Sequence, residues 1–363
     1  MKNIVICCDG TGNEFGETNT NVVKIYQAID FDDEASPDQI AFYDPGVGTN
    51  KPRSSLTRLQ ASVSKLLGLA LGEGVFRNIA DAYHYLMVNY EDGDRVYIFG
   101  FSRGAYTARA LCGLLHMLGL LRAGNTNLIP YALALYRKRI PANKGKRQKH
   151  FKIAEDFKRT YSRECRPHFI GVWDTVKTVG IWDALKVATK LQTALPYTYE
   201  MPGVSYGRHA ISIDERRSRF RTNLWQPHVS NDMQQVWFAG VHCDVGGGYP
   251  ESGLSDFALR WMLLGAQHQG LRVRPDVLAS IHPDPKQLPH KSLTLAWRLL
   301  GWKRRAVRGP GSWDDGERKW HSLPPSLHDS VKLCRRHHSH NNPIPGNACY
   351  VDDSWESYAE GNA

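Results

Sequence analysis

RVYIFGFSRGAYTAR, residues 95–109, decides how this chain reads. A short β-branched and aromatic run ends in Gly100-Phe101-Ser102-Arg103-Gly104, and a helical pattern starts at once. This is G-x-S-x-G between a strand and a helix, the context of a nucleophile elbow. Such a turn holds its serine in a strained backbone conformation. Glycine at 100 and 104 leaves room where a Cβ would meet the crossing strand or helix. A helix starting at Arg103 aims its free N–H groups and positive dipole end at Ser102, where an oxyanion would form. The competing reading is a glycine-rich turn in which Ser102 merely caps the helix.

Working outward, apolar runs alternate with helical patterns. Strands are expected at Asn3–Cys8, Ile40–Tyr43, Arg95–Phe101, His168–Trp173 and Gln235–Val241. Helices are expected at Asn21–Ile29, Gly72–Tyr90, Arg103–Leu118, Lys152–Tyr161 and Ser255–Gln269. Alternation of this kind predicts an α/β fold, a mostly parallel sheet with helices on both faces. Two stretches break it, a basic insertion at 123–166 and an irregular segment at 271–347 rich in Pro, His, Trp and Arg. These insertions are expected to form a partial cap on one catalytic domain spanning 1–363, with 271–347 either part of that cap or a C-terminal extension.

The chain has 363 residues, 42% hydrophobic and 23% charged, with a net charge of +10. These values fit a soluble globular protein, and no apolar run approaches a membrane span. The first residues begin a strand immediately, which excludes a signal peptide and predicts a cytoplasmic protein, with signal-independent export still open. Seven scattered cysteines without a C-x-x-C pair predict reduced thiols. Arg137 to Arg166 holds twelve Lys or Arg against three acids, and Arg298–Arg308 forms a second basic stretch. Such stretches suit an anionic membrane surface, and the lack of any nucleic-acid module argues against DNA or RNA.

A serine nucleophile needs a base and a carboxylate that orients it, in the chain order Ser, Asp or Glu, His. Asp174 ends the strand in HFIGVWDT. His242 follows the strand in VWFAGVHCDVGGGY. Asp244 competes with Asp174 as the acid, and His328 in SLHDSV competes with His242 as the base. Gly10, Thr11 and Gly12, after the first strand, are candidates to join the Arg103 amide in an oxyanion hole. No P-loop and no paired metal-ligand cluster is present, and a triad of this kind requires no cofactor. A metal-dependent site built on Asp9, Asp174, His242 and Asp244 is a third reading.

The blocks CDGTGN, TNVVKIYQAI, YDPGVGT, GFSRGAYTAR, GVWDTV, HAISIDERR, WFAGVHCDVGGGY and SGLSDFALRWM occur in one order between about residues 4 and 270. Together they resemble the α/β-hydrolase-type catalytic domain of type VI secretion phospholipase effectors, long filed as a domain of unknown function. The resemblance implies Ser102 as nucleophile, Asp174 as acid and His242 as base, with glycerophospholipid acyl esters as substrate. The alternatives are another small-ester or acyl hydrolase and a non-catalytic module on the same scaffold.

Overall fold

The computed structural model describes residues 1–10, 16–31, 38–46, 71–176, 195–226, 232–299, 301–309, 311–314, 319–322, 324–337 and 342–351. Eight strands form its central sheet: β1 (Asn3–Cys8), β2 (Gln39–Asp44), β3 (Arg95–Phe101), β4 (Pro167–Trp173), β5 (Tyr206–Ser212), β6 (Asp232–Phe238), β7 (Ser326–His328) and β8 (Cys349–Val351). Their order is β8-β7-β6-β5-β4-β3-β1-β2, and every pairing is parallel. The helices are α1 (Asn21–Ala28), α2 (Leu71–Asn89), α3 (Arg103–Leu118), α4 (Ile129–Arg137), α5 (Lys144–Tyr161), α6 (His242–Gly246), α7 (Gly253–His268), α8 (Pro275–Ala279), α9 (Leu295–Leu299) and α10 (Ser330–His337).

Strand side chains alternate between the two faces, and two cores result. Ile4, Ile6 and Cys8 of β1, with Val96 and Ile98 of β3, pack among α2 and α3 residues such as Ile79, Tyr83, Ala108 and Leu111. Val5, Cys7, Tyr97, Phe99 and Phe101 point the other way, into a core holding Val22 and Ile25 of α1 and Phe257, Trp261 and Met262 of α7. Helices therefore cover both faces, as an α/β-hydrolase-like fold requires.

Register places the functional loops. Phe101 pairs with Trp173, and Trp173 pairs with Ala210. Ser102 and Asp174, each one residue further on, thus emerge side by side at the carboxyl edge of the sheet. Ligand sites of parallel sheets lie at that edge.

Five expected strands are present within three residues at either end, and Arg103–Leu118 is a helix over those very bounds. Three strands of the central sheet were not expected. β5 reads as a charged block, because Arg208 and His209 are buried within it. β7 and β8 arise inside or beyond the segment read as irregular, being only three residues each. The basic insertion holds two helices, α4 and a longer α5 than periodicity suggests. Among the described residues no helix is long and apolar enough to cross a membrane. The seven cysteines are free thiols.

Candidate active site

Ser102 sits between β3 and α3 with φ 57° and ψ −116°, a conformation that non-glycine residues rarely adopt. Both flanking glycines are required by close approach. A Cβ at Gly100 would lie 2.5 Å from the Gly104 carbonyl oxygen, and one at Gly104 would collide with the Cys8 carbonyl. The elbow is thus wedged between β1 and its own helix. The Ser102 N–H donates to the Trp173 carbonyl at 3.0 Å, tying the turn to β4. Its side chain makes no capping bond to α3, which sets the helix-cap reading aside.

The Ser102 hydroxyl points instead to His242, with Oγ 2.8 Å from Nε2. His242 opens α6, four residues beyond the end of β6, and is buried between the rings of Phe101 and Phe220, at 4.6 and 4.9 Å. Its Nδ1 lies 2.5 Å from Asp174 Oδ2. A carboxylate accepts only, so Nδ1 carries the proton and Nε2 is left to accept from the serine. Burial holds the imidazole below its ordinary pKa, although the bond and charge of Asp174 oppose that shift. The ring is consequently neutral at pH 7.

Asp174 is itself strained, with φ 39°, and fully buried. Burial alone would protonate it. The charge of Arg305, with bonds from His242 and Arg305, outweighs burial and holds the carboxyl well below the usual carboxylate range. Arg305 meets it with both Nη atoms, Nη1 to Oδ1 at 2.5 Å and Nη2 to Oδ2 at 3.0 Å. The same guanidinium donates to the Ser212 carbonyl and hydroxyl and to the Phe220 carbonyl. The Ser212 N–H adds a bond to Oδ1 at 3.1 Å. Sequence reasoning missed this role of Arg305, reading the residue only as part of a basic stretch suited to an anionic surface. A buried arginine inside the run KRR has no sequence signal of its own.

A second buried acid, Glu215, accepts the His242 N–H at 3.3 Å and binds Arg217 through both oxygens. Burial opposes its charge, but Arg217 brings its pKa down to about 2. The Arg217 guanidinium lies 3.6 Å from the centre of the Phe220 ring, roofing the side chain that packs on His242.

The other candidates go elsewhere. His328 is buried on β7, stacked on Phe238 and bonded through Nδ1 to the Ser330 hydroxyl. Desolvation lowers its pKa to about 3. Asp244 accepts from the Val241 and His290 amides and meets His290 Nδ1 at 2.6 Å, clamping α6 to the 290 region. Asp9 meets the hydroxyls of Thr20 and Tyr43 at 2.7 and 2.8 Å. Among the described residues no group of three or more His, Cys, Asp or Glu is placed to hold a metal ion. Arg103 is the first residue of α3, where an amide has no intrahelical acceptor. The Gly10 amide, a candidate oxyanion donor, is turned to the Asp9 carboxylate at 2.6 Å. Thr11 and Gly12 lie outside the described residues.

Comparison with known proteins places the chain. The uncharacterized protein YEL023C of Saccharomyces cerevisiae is 35% identical over 239 residues, 62% of this chain and 33% of the yeast protein. The chain thus spans about a third of that relative's length. Two solved structures are similar at low identity. An uncharacterized protein from Pseudomonas aeruginosa aligns at 16% identity and a TM-score of 0.44, over 78% of this chain and 49% of that one. The Tle1 effector bound to the VgrG spike of the type 6 secretion system aligns at 14% identity and a TM-score of 0.45, over 82% and 77% of the two chains. Residues 2–264 match the family described as "T6SS, Phospholipase effector Tle1-like, catalytic domain", and the chain belongs to that family.

Proposed function

We propose that the chain is a serine esterase of the lipase type, acting on glycerophospholipid acyl esters through Ser102, His242 and Asp174. One observation carries the reading: an unbroken chain of bonds from the half-buried Ser102 hydroxyl through a buried, neutral imidazole to a buried, ionised carboxylate. As Ser102 Oγ bonds to the ester carbonyl carbon, its proton passes to His242 Nε2, and Asp174 stabilises the resulting imidazolium. The carbonyl oxygen becomes an oxyanion facing the Arg103 amide and the positive end of α3. The ester C–O bond breaks as His242 returns the proton to the departing alcohol oxygen. Water then repeats the sequence on the acyl-enzyme, its proton going to His242, and the fatty acid leaves.

A water-insoluble substrate implies contact with an anionic membrane surface, and the lysines and arginines exposed along α5 and in 298–308 suit that contact. The part of the chain that carries Trp297 and Arg305 then acts as a partial cap, since both side chains approach the Ser102 face.

The test compares acyl release from mixed phospholipid vesicles and from short p-nitrophenyl esters, wild type beside Ser102→Ala. Loss of both activities is expected, and the ratio between substrates separates a phospholipase from a small-ester hydrolase. Turnover that survives the substitution overturns the reading. A fluorophosphonate probe that fails to label Ser102 would point to a non-catalytic scaffold.

A further inference from the structure

Residues 295–299 and 301–305 form a strap beside the site whose two sides differ in character. On the inner side, the Trp297 ring meets the Phe220 ring at 5.6 Å, and Phe220 in turn packs on His242. Backbone bonds from Ser218 N–H to the Gly301 carbonyl at 3.2 Å and from Lys303 N–H to the Arg216 carbonyl at 2.8 Å fasten the strap. At its end Arg305 plugs into Asp174.

The outer side is apolar and open. Leu295 and Leu299, one turn apart on α9, are 76% and 84% exposed, and Trp302, beyond the end of that helix, is 57% exposed. Leu288, also exposed, lies close by in sequence. Of the ten large hydrophobic side chains most exposed among the described residues, four fall between 288 and 302. Single exposed apolar residues need no explanation, but a run of them on one strap does. Exposed Arg298, Lys303 and Arg304 are interleaved with the apolar ones.

We infer that the outer face of residues 295–304 is the surface by which this protein docks on an anionic phospholipid bilayer. Aromatic and leucine side chains among cations match an interface with apolar depth and anionic headgroups. A second copy of the same face would set Arg298, Lys303 and Arg304 against their own like charges, whereas a bilayer supplies the opposite sign. Docking there holds the Ser102 face near the lipid, because Phe220 joins Trp297 of the strap to the imidazole. The inference deepens the phospholipase reading, but the binding step needs no turnover.

The experiment therefore uses Ser102→Ala protein, sedimented with phosphatidylcholine vesicles and with vesicles that also contain phosphatidylglycerol. Stronger binding to the phosphatidylglycerol vesicles is expected. Leu295→Ser/Leu299→Ser in the same background should weaken it by about tenfold or more, from the apolar burial that two leucines contribute. Arg298→Gln/Lys303→Gln should reduce the salt-sensitive part of binding. Both side-chain pairs are solvent-exposed, and thermal melts matching the parent establish that the variants are folded. Vesicle binding unchanged in the leucine variant, or no binding by the parent, overturns the inference. So does a dimer, seen by light scattering, that the leucine variant dissolves. Loss of Ser102-dependent turnover on every ester, with docking intact, would instead count against the esterase reading alone.

Discussion

Replacing Arg305 by methionine tests how the acid of the site is held. The guanidinium is about as buried as the carboxylate, with side-chain exposures of 5% and 1%. In its absence Asp174 keeps the Ser212 amide and the His242 imidazole but loses both charged donors. Removing one partner of a buried, hydrogen-bonded ion pair costs on the order of 3–5 kcal/mol. We expect urea melts at pH 7 to show a loss of about 3 kcal/mol, because those two donors remain. The sign with pH follows from the depressed Asp174 pKa. A carboxyl depressed on folding contributes stability above its unfolded value, near 4, and loses it as pH falls towards the folded value. The gap between wild type and Arg305→Met is therefore widest above about pH 4 and narrows on acidification. A loosened Asp174 should lower kcat by up to about a hundredfold, the scale of a 1 Å misplacement. Losing a cation beside Asp174 leaves more negative charge to stabilise the imidazolium, so the acidic limb of kcat/KM should move to higher pH. Arg305→Lys cannot bind both oxygens in the planar fork and should fall between the two. A variant that melts early yet keeps wild-type kcat and an unmoved acidic limb would refute the positioning role.

Gly104→Ala should be among the most damaging small substitutions, since its Cβ meets the Cys8 backbone rather than a flexible side chain. A loss of about 2–3 kcal/mol is expected in chemical denaturation, with Gly346→Ala as a comparison in open space. Because burial depresses the His242 pKa, kcat/KM for a soluble ester should fall on acidification with a midpoint below about 6.5. His209 and His328 are both buried with pKa values pushed down to about 3. Between about pH 6.5 and 3 the unfolded chain binds protons that the folded chain refuses, so stability falls as pH drops through that window. His328→Gln should flatten that slope by up to one proton, measured from urea midpoints at several pH values. His328→Ala should cost about 2 kcal/mol while leaving kcat/KM of the folded fraction unchanged. A proportional loss of turnover would return His328 to consideration as the base.

The fold was legible where local chemistry and tertiary role agree. The elbow is spelled out by two glycines and a serine because each answers a steric need within a few residues. Ser102, Asp174 and His242 were readable for a related reason. Ser102 and Asp174 follow directly on apolar strands and His242 comes four residues after one, and parallel strands deliver their successors to one edge. β5 was missed because Arg208 and His209 are buried there, on Asp232 and on Gln235, and their partners are more than twenty positions away. Arg305 was missed for the same reason at greater range, its partner being 131 positions upstream. Leu295, Leu299 and Trp302 were visible as a Trp-rich stretch, but which side chains face outwards depends on where Trp297 and Arg305 are anchored.

The clasp between Arg305 and Asp174 also bears on where the protein can be divided. The three residues of the proposed catalytic chain all fall within positions 2–264, so that stretch looks self-sufficient on paper. A chain ending at 264 would bury the Asp174 carboxylate without its guanidinium and would leave the β6 edge without β7. On a ribosome the same dependence sets a sequence of events. The serine, acid and base are all translated well before the arginine that neutralises the acid, so the pocket matures only once the later segment has folded back. Ordinary domain boundaries drawn from family matches would cut through this unit, and expression fragments should extend at least through β7.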